Sequence, residues 1–195
     1  FTGTPKPTLA IVGASGHGKV VAETAGLLGY QCVFFDDAYP SVKSNEDWPV
    51  IGTTDNLLEQ ATSFAAVTVA IGNTAIRLAK IQQLQDAGAK LATLIHPQAI
   101  VSSYANLQPA SVVFAGAVIN AFAQIGRGCI INTAASIDHD CLIADCVHIS
   151  PGAHLAGNVS VGQEAWVGIG AAVKQGINIA ANCTVGAGAV VVKDV

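Results

Sequence analysis

Residues 125–160 read IGRGCI INTAAS IDHDCL IADCVH ISPGAH LAGNVS, six blocks of six that each open on an aliphatic side chain: Ile125, Ile131, Ile137, Ile143, Ile149 and Leu155. Extended in both directions, the same register puts Ile, Val or Leu at every sixth position from Ile95 to Val191, seventeen positions without a break. Four residues after each, the side chain is usually small, as at Ala99, Ala105, Ser111, Ala117, Ala123, Cys129, Ala135, Cys141, Ala153, Ala165, Ala171, Cys183 and Ala189. A short fixed period marks a solenoid. Six residues supply one short strand and one corner, so three hexads close a triangular coil of 18. The aliphatic residue then points into the prism and the small one fits the corner interior. Successive coils stack at about 4.8 Å, the spacing of hydrogen-bonded strands. The reading over 95–195 is a parallel β-helix. Cys129, Cys141 and Cys183 fall on the small inward position and are packing residues.

Residues 1–94 follow a different rule. Thr8–Val12 is a short apolar run stopped by Gly13, and Cys32–Phe35 is a second one closed by Asp36-Asp37. A third spans 66–71 and precedes Gly72-Asn73. Such runs predict buried parallel strands. Helical spacing occupies Lys19–Leu28 and Ile76–Asp86, with Gly29 and Gly88 as stops. Strand, helix, strand, then strand and helix make a small Rossmann-like α/β unit.

The chain of 195 residues is 51% hydrophobic and 11% charged, with 20 Gly and a net charge of −4. Its mean hydropathy of +0.50 invites a membrane reading. The least charged stretch, 175–192, is nevertheless broken by Gln175, Gly176, Asn178, Asn182, Gly186 and Gly188. A spanning helix needs about 20 predominantly apolar residues, so no span is expected. Without a basic cluster, no nucleic-acid partner is expected. The five cysteines show no metal spacing, so no metal is expected. With no signal peptide, the expectation is a cytoplasmic chain with reduced thiols. A chain that begins at Phe1 and contains no Met is expected to be a fragment or excised domain.

Gly13-Ala14-Ser15-Gly16-His17-Gly18 follows the first strand with the spacing G-x-x-G-x-G, which differs from the G-x-G-x-x-G of NAD-binding folds. It still allows close backbone approach to a diphosphate at a helix N-terminus. Asp36 and Asp37, some 20 residues on, stand where a carboxylate meets a ribose or base edge. In the repeats, His139 lies between Asp138 and Asp140 at a corner, where a carboxylate can hold the imidazole tautomer and raise its basicity. Gly157 follows His139 by 18 residues, one full coil, so its N–H is a candidate oxyanion donor. The same arithmetic stacks His148 with Trp166, placed here on another corner.

The hexads resemble the left-handed β-helix acyltransferases. Taken with the glycine turn, Asp36-Asp37, Gly72-Asn73 and Asp138-His139-Asp140 in that order, the whole chain resembles the NeuD/PglD-type sugar acetyltransferases. Within these it is nearest the enzymes that N-acetylate the 4-amino group of a UDP-4-amino-4,6-dideoxy-N-acetylglucosamine in the bacillosamine pathway. The resemblance implies acetyl-CoA as co-substrate and direct transfer, with His139 as general base supported by Asp140. It assigns Ser15, Gly16 and His17 to the diphosphate, Asp36 and Asp37 to the uridine, and Gly72 to the sugar region. It puts Asn132 and Asp138 near the substrate amine, and His148 and Ile169 on acetyl-CoA. The family more often has Glu at position 140, so the shorter Asp is expected to reach the ring differently or through water. A family glycine near 187 is Ala187 here. The resemblance also implies a homotrimer with His139 and His148 facing each other across a subunit boundary. Some relatives are fused to a sugar-phosphate transferase, which would hold the chain at the inner membrane face. Alternatives are O-acetylation of a sialic acid, as in the NeuD branch, and a non-catalytic sugar-nucleotide-binding scaffold.

Overall fold

In the computed structural model, which describes residues 5–195, the chain divides into two compact units, Phe1–Leu94 and Ile95–Val195. The first carries β1 (Thr8–Val12), α1 (Gly16–Leu27), β2 (Gln31–Phe35), β3 (Ser44–Asn45), β4 (Trp48–Gly52), α2 (Thr54–Leu58), β5 (Ala66–Val69) and α3 (Thr74–Asp86). The sheet order is β3-β4-β2-β1-β5, all parallel except the antiparallel β3–β4 pair. Leu9, Ile11, Phe34, Phe35, Leu57, Val67, Ile81 and Leu84 are fully buried and form its core. Because β1 has β2 on one side and β5 on the other, the chain reverses its direction of winding there. That is the switch point at which open α/β sheets bind ligands, outside the carboxyl ends of the strands.

The periodicity locates β1, β2, β5, α1 and α3 but gives neither β3, β4 nor α2. The missed segment contains Trp48-Pro49, and β4 buries Val50 and Gly52 while Pro49 and Ile51 are exposed. Pro49 cannot donate to a ladder, so a run that contains it does not read as an interior strand. Helix α1 begins at Gly16, three residues earlier than its apolar spacing suggests, so the second glycine of the turn is already helical.

The second unit is a left-handed parallel β-helix of two-residue strands in three sheets. The first face runs through Ile100–Val101, Val118–Ile119, Ser136–Ile137, His154–Leu155, Ala172–Val173 and Val190–Val191. The second holds Asn106–Leu107, Gln124–Ile125, Leu142–Ile143, Ser160–Val161 and Asn178–Ile179. Leu94–Ile95, Val112–Val113, Ile130–Ile131, His148–Ile149, Trp166–Val167 and Thr184–Val185 make the third. Each strand pairs with the residues 18 further on, as Ile119 with Ile137 and Ile137 with Leu155. The aliphatic ladder and the small residues beside it fill the prism. Each fully buried aliphatic contributes roughly 1.5–3 kcal/mol of transfer free energy.

The corners are set by a residue the hexad pattern does not mark. From Ala110 on, the backbone three positions after the inward aliphatic is left-handed: Ala110, Phe122, Ala134, Asp140, Cys146, Asn158, Glu164 and Asn182 have φ of 55–66°, as do Gly116, Gly128, Gly152, Gly170, Gly176 and Gly188 at 62–73°. This repeated hand turns the chain onto the next face and fixes which side chains project outward.

Candidate active site

His139 and Asp140 occupy the corner between the first and second faces. Asp140 is the left-handed residue, with φ 59°, and this turn brings its carboxylate alongside the preceding ring. Nδ1 of His139 lies 2.7 Å from Asp140 Oδ2. The shorter acid therefore reaches the imidazole directly, without a bridging water. A carboxylate accepting from Nδ1–H leaves the lone pair on Nε2. Both side chains are more than half exposed. The hydrogen bond to Asp140, followed by the charges of Asp138 and Asp140, raises the His139 pKa above 6.5 against a smaller opposing effect of desolvation.

Asp138 lies along the same corner. Its Oδ1 accepts from the His139 backbone N–H at 2.8 Å and from Asn120 Nδ2 at 2.8 Å. The two bonds, with the His139 charge, hold its carboxyl below the ordinary value. Asp138 thus fixes the backbone of the histidine as well as lying beside it.

Gly157 sits one coil beyond. A Cβ built on it would stand 2.5 Å from His139 Nε2 and 2.6 Å from Cε1, so the imidazole lies against bare glycine backbone. The β-helix gives no backbone partner to the N–H at this turn position. Arg127, Thr133 and His139 meet theirs with Asp145, Asn132 and Asp138 side chains. The Gly157 N–H has no hydrogen bond among the described residues. A free donor and the lone-pair nitrogen of His139 are therefore neighbours.

His148 is placed on a strand of the third face and not on a corner as the repeat arithmetic suggested. Counting coils gives the stacking partner correctly, but face and corner differ by the strand pairing that only the fold sets. Its ring packs on Trp166 with centroids 4.6 Å apart and is 8% exposed. Asn132 Nδ2 is 3.1 Å from His148 Nε2, and Trp166 Nε1 donates to Ser150 Oγ at 2.7 Å. His148, Ser150 and Trp166 border an apolar cleft of about 300 Å³ lined also by Gly168, Ile169, Val185 and Ala187. Ala187, which lacks the family glycine, forms part of this wall. Asn132 thus belongs with His148, while Asp138 belongs with His139.

In the first unit, Ser15, Asp36, Asp37 and Gly72 meet in a cavity of about 290 Å³ at the carboxyl ends of β1, β2 and β5, with Gly13, Thr54 and Ile71. Gly13 has φ 103°, and a Cβ there would stand 2.9 Å from the Ala70 carbonyl oxygen, so the turn requires glycine. Ser15 precedes α1 but its side chain caps no N–H; the first-turn N–H groups of a helix have no partner within it and favour an anion. Asp36 accepts from Ala14 N at 2.8 Å and Ala38 N at 2.9 Å, which ties the glycine turn to the end of β2. Asp37 accepts from Thr54 N and from Lys80 Nζ, each at 2.9 Å. Both carboxylates accordingly carry structural bonds as well as facing the cavity. His17, at the start of α1, has its pKa pushed down to about 4 by burial and by the nearby Arg77 cation, which makes it a neutral ring at physiological pH.

Arg77 and Asn45 were not picked out by motif. Arg77 is 1% exposed on α3 and donates from Nη1 to the carbonyls of Ile71 and Gly72, at 2.7 and 2.9 Å. Asn45 is 6% exposed and donates to the Ser15 carbonyl at 3.1 Å. Arg77 carried a usable signal, a charge on the apolar face of a helix directly after a glycine loop. Asn45 carried none, because β3 itself was not legible.

A family model described as the PglD N-terminal domain matches residues 8–84. The acetyltransferase domain of PglB from Neisseria gonorrhoeae FA1090, solved with acetyl coenzyme A, is 46% identical with a TM-score of 0.93, covering 98% of this chain and 93% of that one. PerB from Caulobacter crescentus, solved with CoA and GDP-perosamine, is 38% identical with a TM-score of 0.91, covering 96% and 90%. A UDP-N-acetylbacillosamine N-acetyltransferase from Bacillus subtilis (strain 168) is 38% identical over 112 residues, 55% of this chain; the match spans about half of that curated relative.

Proposed function

We propose that this chain, which belongs to the PglD-type family of sugar N-acetyltransferases, transfers the acetyl group of acetyl-CoA to the 4-amino group of a UDP-linked 4-amino-4,6-dideoxy sugar for bacterial glycan synthesis. The observation that carries the reading is the corner at which His139, oriented by Asp140, lies against Gly157. His139 Nε2 accepts a proton as the amine nitrogen bonds to the thioester carbonyl carbon. The Gly157 N–H donates to the oxyanion that develops. Collapse breaks the carbon–sulfur bond, and the proton passes from the imidazolium to the departing thiolate. Ile169, Val185 and Ala187 offer an apolar wall to the acyl carrier chain, and His148 with Trp166 closes its end. Ser15, Gly16 and His17 hold the diphosphate, with His17 as a neutral hydrogen-bonding ring, while Asp36, Asp37 and Gly72 surround the uridine and sugar side of that cavity.

His139 lies on the corner between the first and second faces, whereas the cleft of His148 and Ile169 borders the corner between the third and first. One whole face separates them within a chain. A homotrimer of parallel prisms would bring the His139 corner of one copy to the cleft of the next, and sedimentation as a stable monomer would refute it.

A thiol-release assay with acetyl-CoA and a panel of UDP-4-amino, GDP-4-amino and hydroxyl-bearing sugar nucleotides tests the assignment. Turnover should be greatest with the UDP-4-amino sugar; preference for a GDP-linked or hydroxyl acceptor would overturn it. His139→Ala should lower kcat by about 10²–10⁴-fold with sugar-nucleotide binding kept, and near-normal turnover would remove the base.

A further inference from the structure

Tyr104 and Phe122 form an exposed aromatic pair that none of these roles uses. Their ring centroids are 5.3 Å apart at 36°, with 67% and 56% of each residue exposed. They occupy the same corner and the same turn position as Asp140, in the two preceding coils; Asp140 N donates to the carbonyl of Ala121, next to Phe122, at 3.1 Å. The ladder along this edge therefore reads Tyr104, Phe122, Asp140, Asn158, at about 4.8 Å per step.

Phe122 is also held against its backbone preference. Its φ of 64° lies in the left-handed region, where the other non-glycine β-helix corners carry Ala, Asp, Asn, Glu or Cys. A bulky aromatic there is uncommon and costly, and such outliers gather at functional sites. Two large rings exposed on the single chain beside a general base call for an apolar partner during turnover.

We propose that Phe122 and Tyr104 form the ledge on which the hexose ring of the acceptor stacks, presenting its 4-amino group to His139. The inference rests on the N-acetyltransferase reading and deepens it. The apolar cleft assigned to acetyl-CoA begins at His148 and Trp166 and extends through Gly168 to Ala187, toward later coils. Rotation about an axis parallel to the prism preserves height along it, so the donor arrives from the later coils in any such assembly. The earlier coils, where the rings stand, remain for the acceptor. A 4,6-dideoxy hexose has a C–H face and a methyl group in place of a hydroxyl, which aromatic surface covers without leaving a polar atom unbonded.

Steady-state kinetics on the full chain, with calorimetric titration of the UDP-4-amino sugar and of UDP, test the ledge. Phe122→Asn, which suits the left-handed corner, and Tyr104→Ala should each raise the sugar-nucleotide KM about ten-fold. The KM for acetyl-CoA and the affinity for UDP alone should stay unchanged, and Phe122→Trp should restore the wild-type value. Unchanged sugar-nucleotide KM and affinity would overturn the ledge, as would an equal loss of UDP affinity. Variants that lose self-association in sedimentation would place a second copy of the chain on the rings instead. A wild-type protein that binds the UDP-4-amino sugar through the rings yet transfers no acetyl group would refute the activity and leave the contact standing.

Discussion

Replacing Gly157 by alanine separates catalysis from folding at one atom. The new Cβ would stand 2.5, 2.6 and 3.1 Å from Nε2, Cε1 and Cδ2 of His139. Ordinary contact lies near 3.5 Å, so the imidazole must retreat by about 1 Å. The His139 side chain is 59% exposed, and its ring can swing into solvent with little loss of packing. The φ of Gly157 is outside the left-handed region, so alanine fits the backbone, and the stiffer unfolded chain offsets part of any strain by about 0.4–1 kcal/mol. Stability should therefore stay level while the base leaves its place. A misplacement of about 1 Å can cost about 100-fold in rate. Because alanine keeps the backbone N–H, the loss reports on the imidazole and not on the oxyanion donor. The thiol-release assay should show kcat lower by about 100-fold with Tm unchanged or slightly raised. The acid limb of the pH profile should also move toward 6.5 as the ring parts from Asp140. Wild-type turnover, or a large fall in Tm, would refute this account of the corner.

His139 must be neutral to accept a proton, and its pKa is raised above 6.5 chiefly by Asp140; activity should fall as pH drops through a midpoint above that value. Asp140→Asn should move this limb to lower pH and reduce the plateau, and an unmoved limb would detach Asp140 from the base. Asp36→Ala removes two hydrogen bonds, one from Ala14 in the glycine turn and one from Ala38 after β2, at about 0.5–1.5 kcal/mol each; the sugar-nucleotide KM should rise with kcat little changed, and an unchanged KM would refute its placement. Gly126→Ala drives a Cβ to 2.6 Å from the Ala144 carbonyl carbon and 2.7 Å from Asp145 N. Backbone of the next coil cannot swing aside as a side chain can, so denaturant unfolding should show a loss of about 1–3 kcal/mol, and wild-type stability would contradict the packing.

Much of the site was legible because the repeat converts sequence distance into spatial distance. Eighteen residues is one coil, so His139 and Gly157, or His148 and Trp166, can be paired by counting. Asp140 reached the ring directly because the corner residue is left-handed, and the hexad does not mark that position. The α/β unit offered less. Asp36 and Asp37 are legible from their place after β2, and Ser15 and Gly72 through the family resemblance, yet the bonds that occupy Asp36 and Asp37 come from Ala14, Ala38, Thr54 and Lys80, which no local pattern links.

The sequence by itself determined the architecture of residues 95–195. Seventeen aliphatics in one register admit only a fold that buries every sixth side chain, and short-range periodicity needs no tertiary information to be read. It also put Asp138, His139 and Asp140 on one corner, because that run is local. Tertiary structure alone decided what depends on elements distant in the chain. Asn45 on β3 holds the glycine turn and Arg77 on α3 holds the Ile71-Gly72 loop, and Asn132 joins His148 across adjacent coils. The rings of Tyr104 and Phe122 meet at 5.3 Å on the Asp140 edge; counting coils aligns the two positions, but the six-residue period does not say where their side chains point.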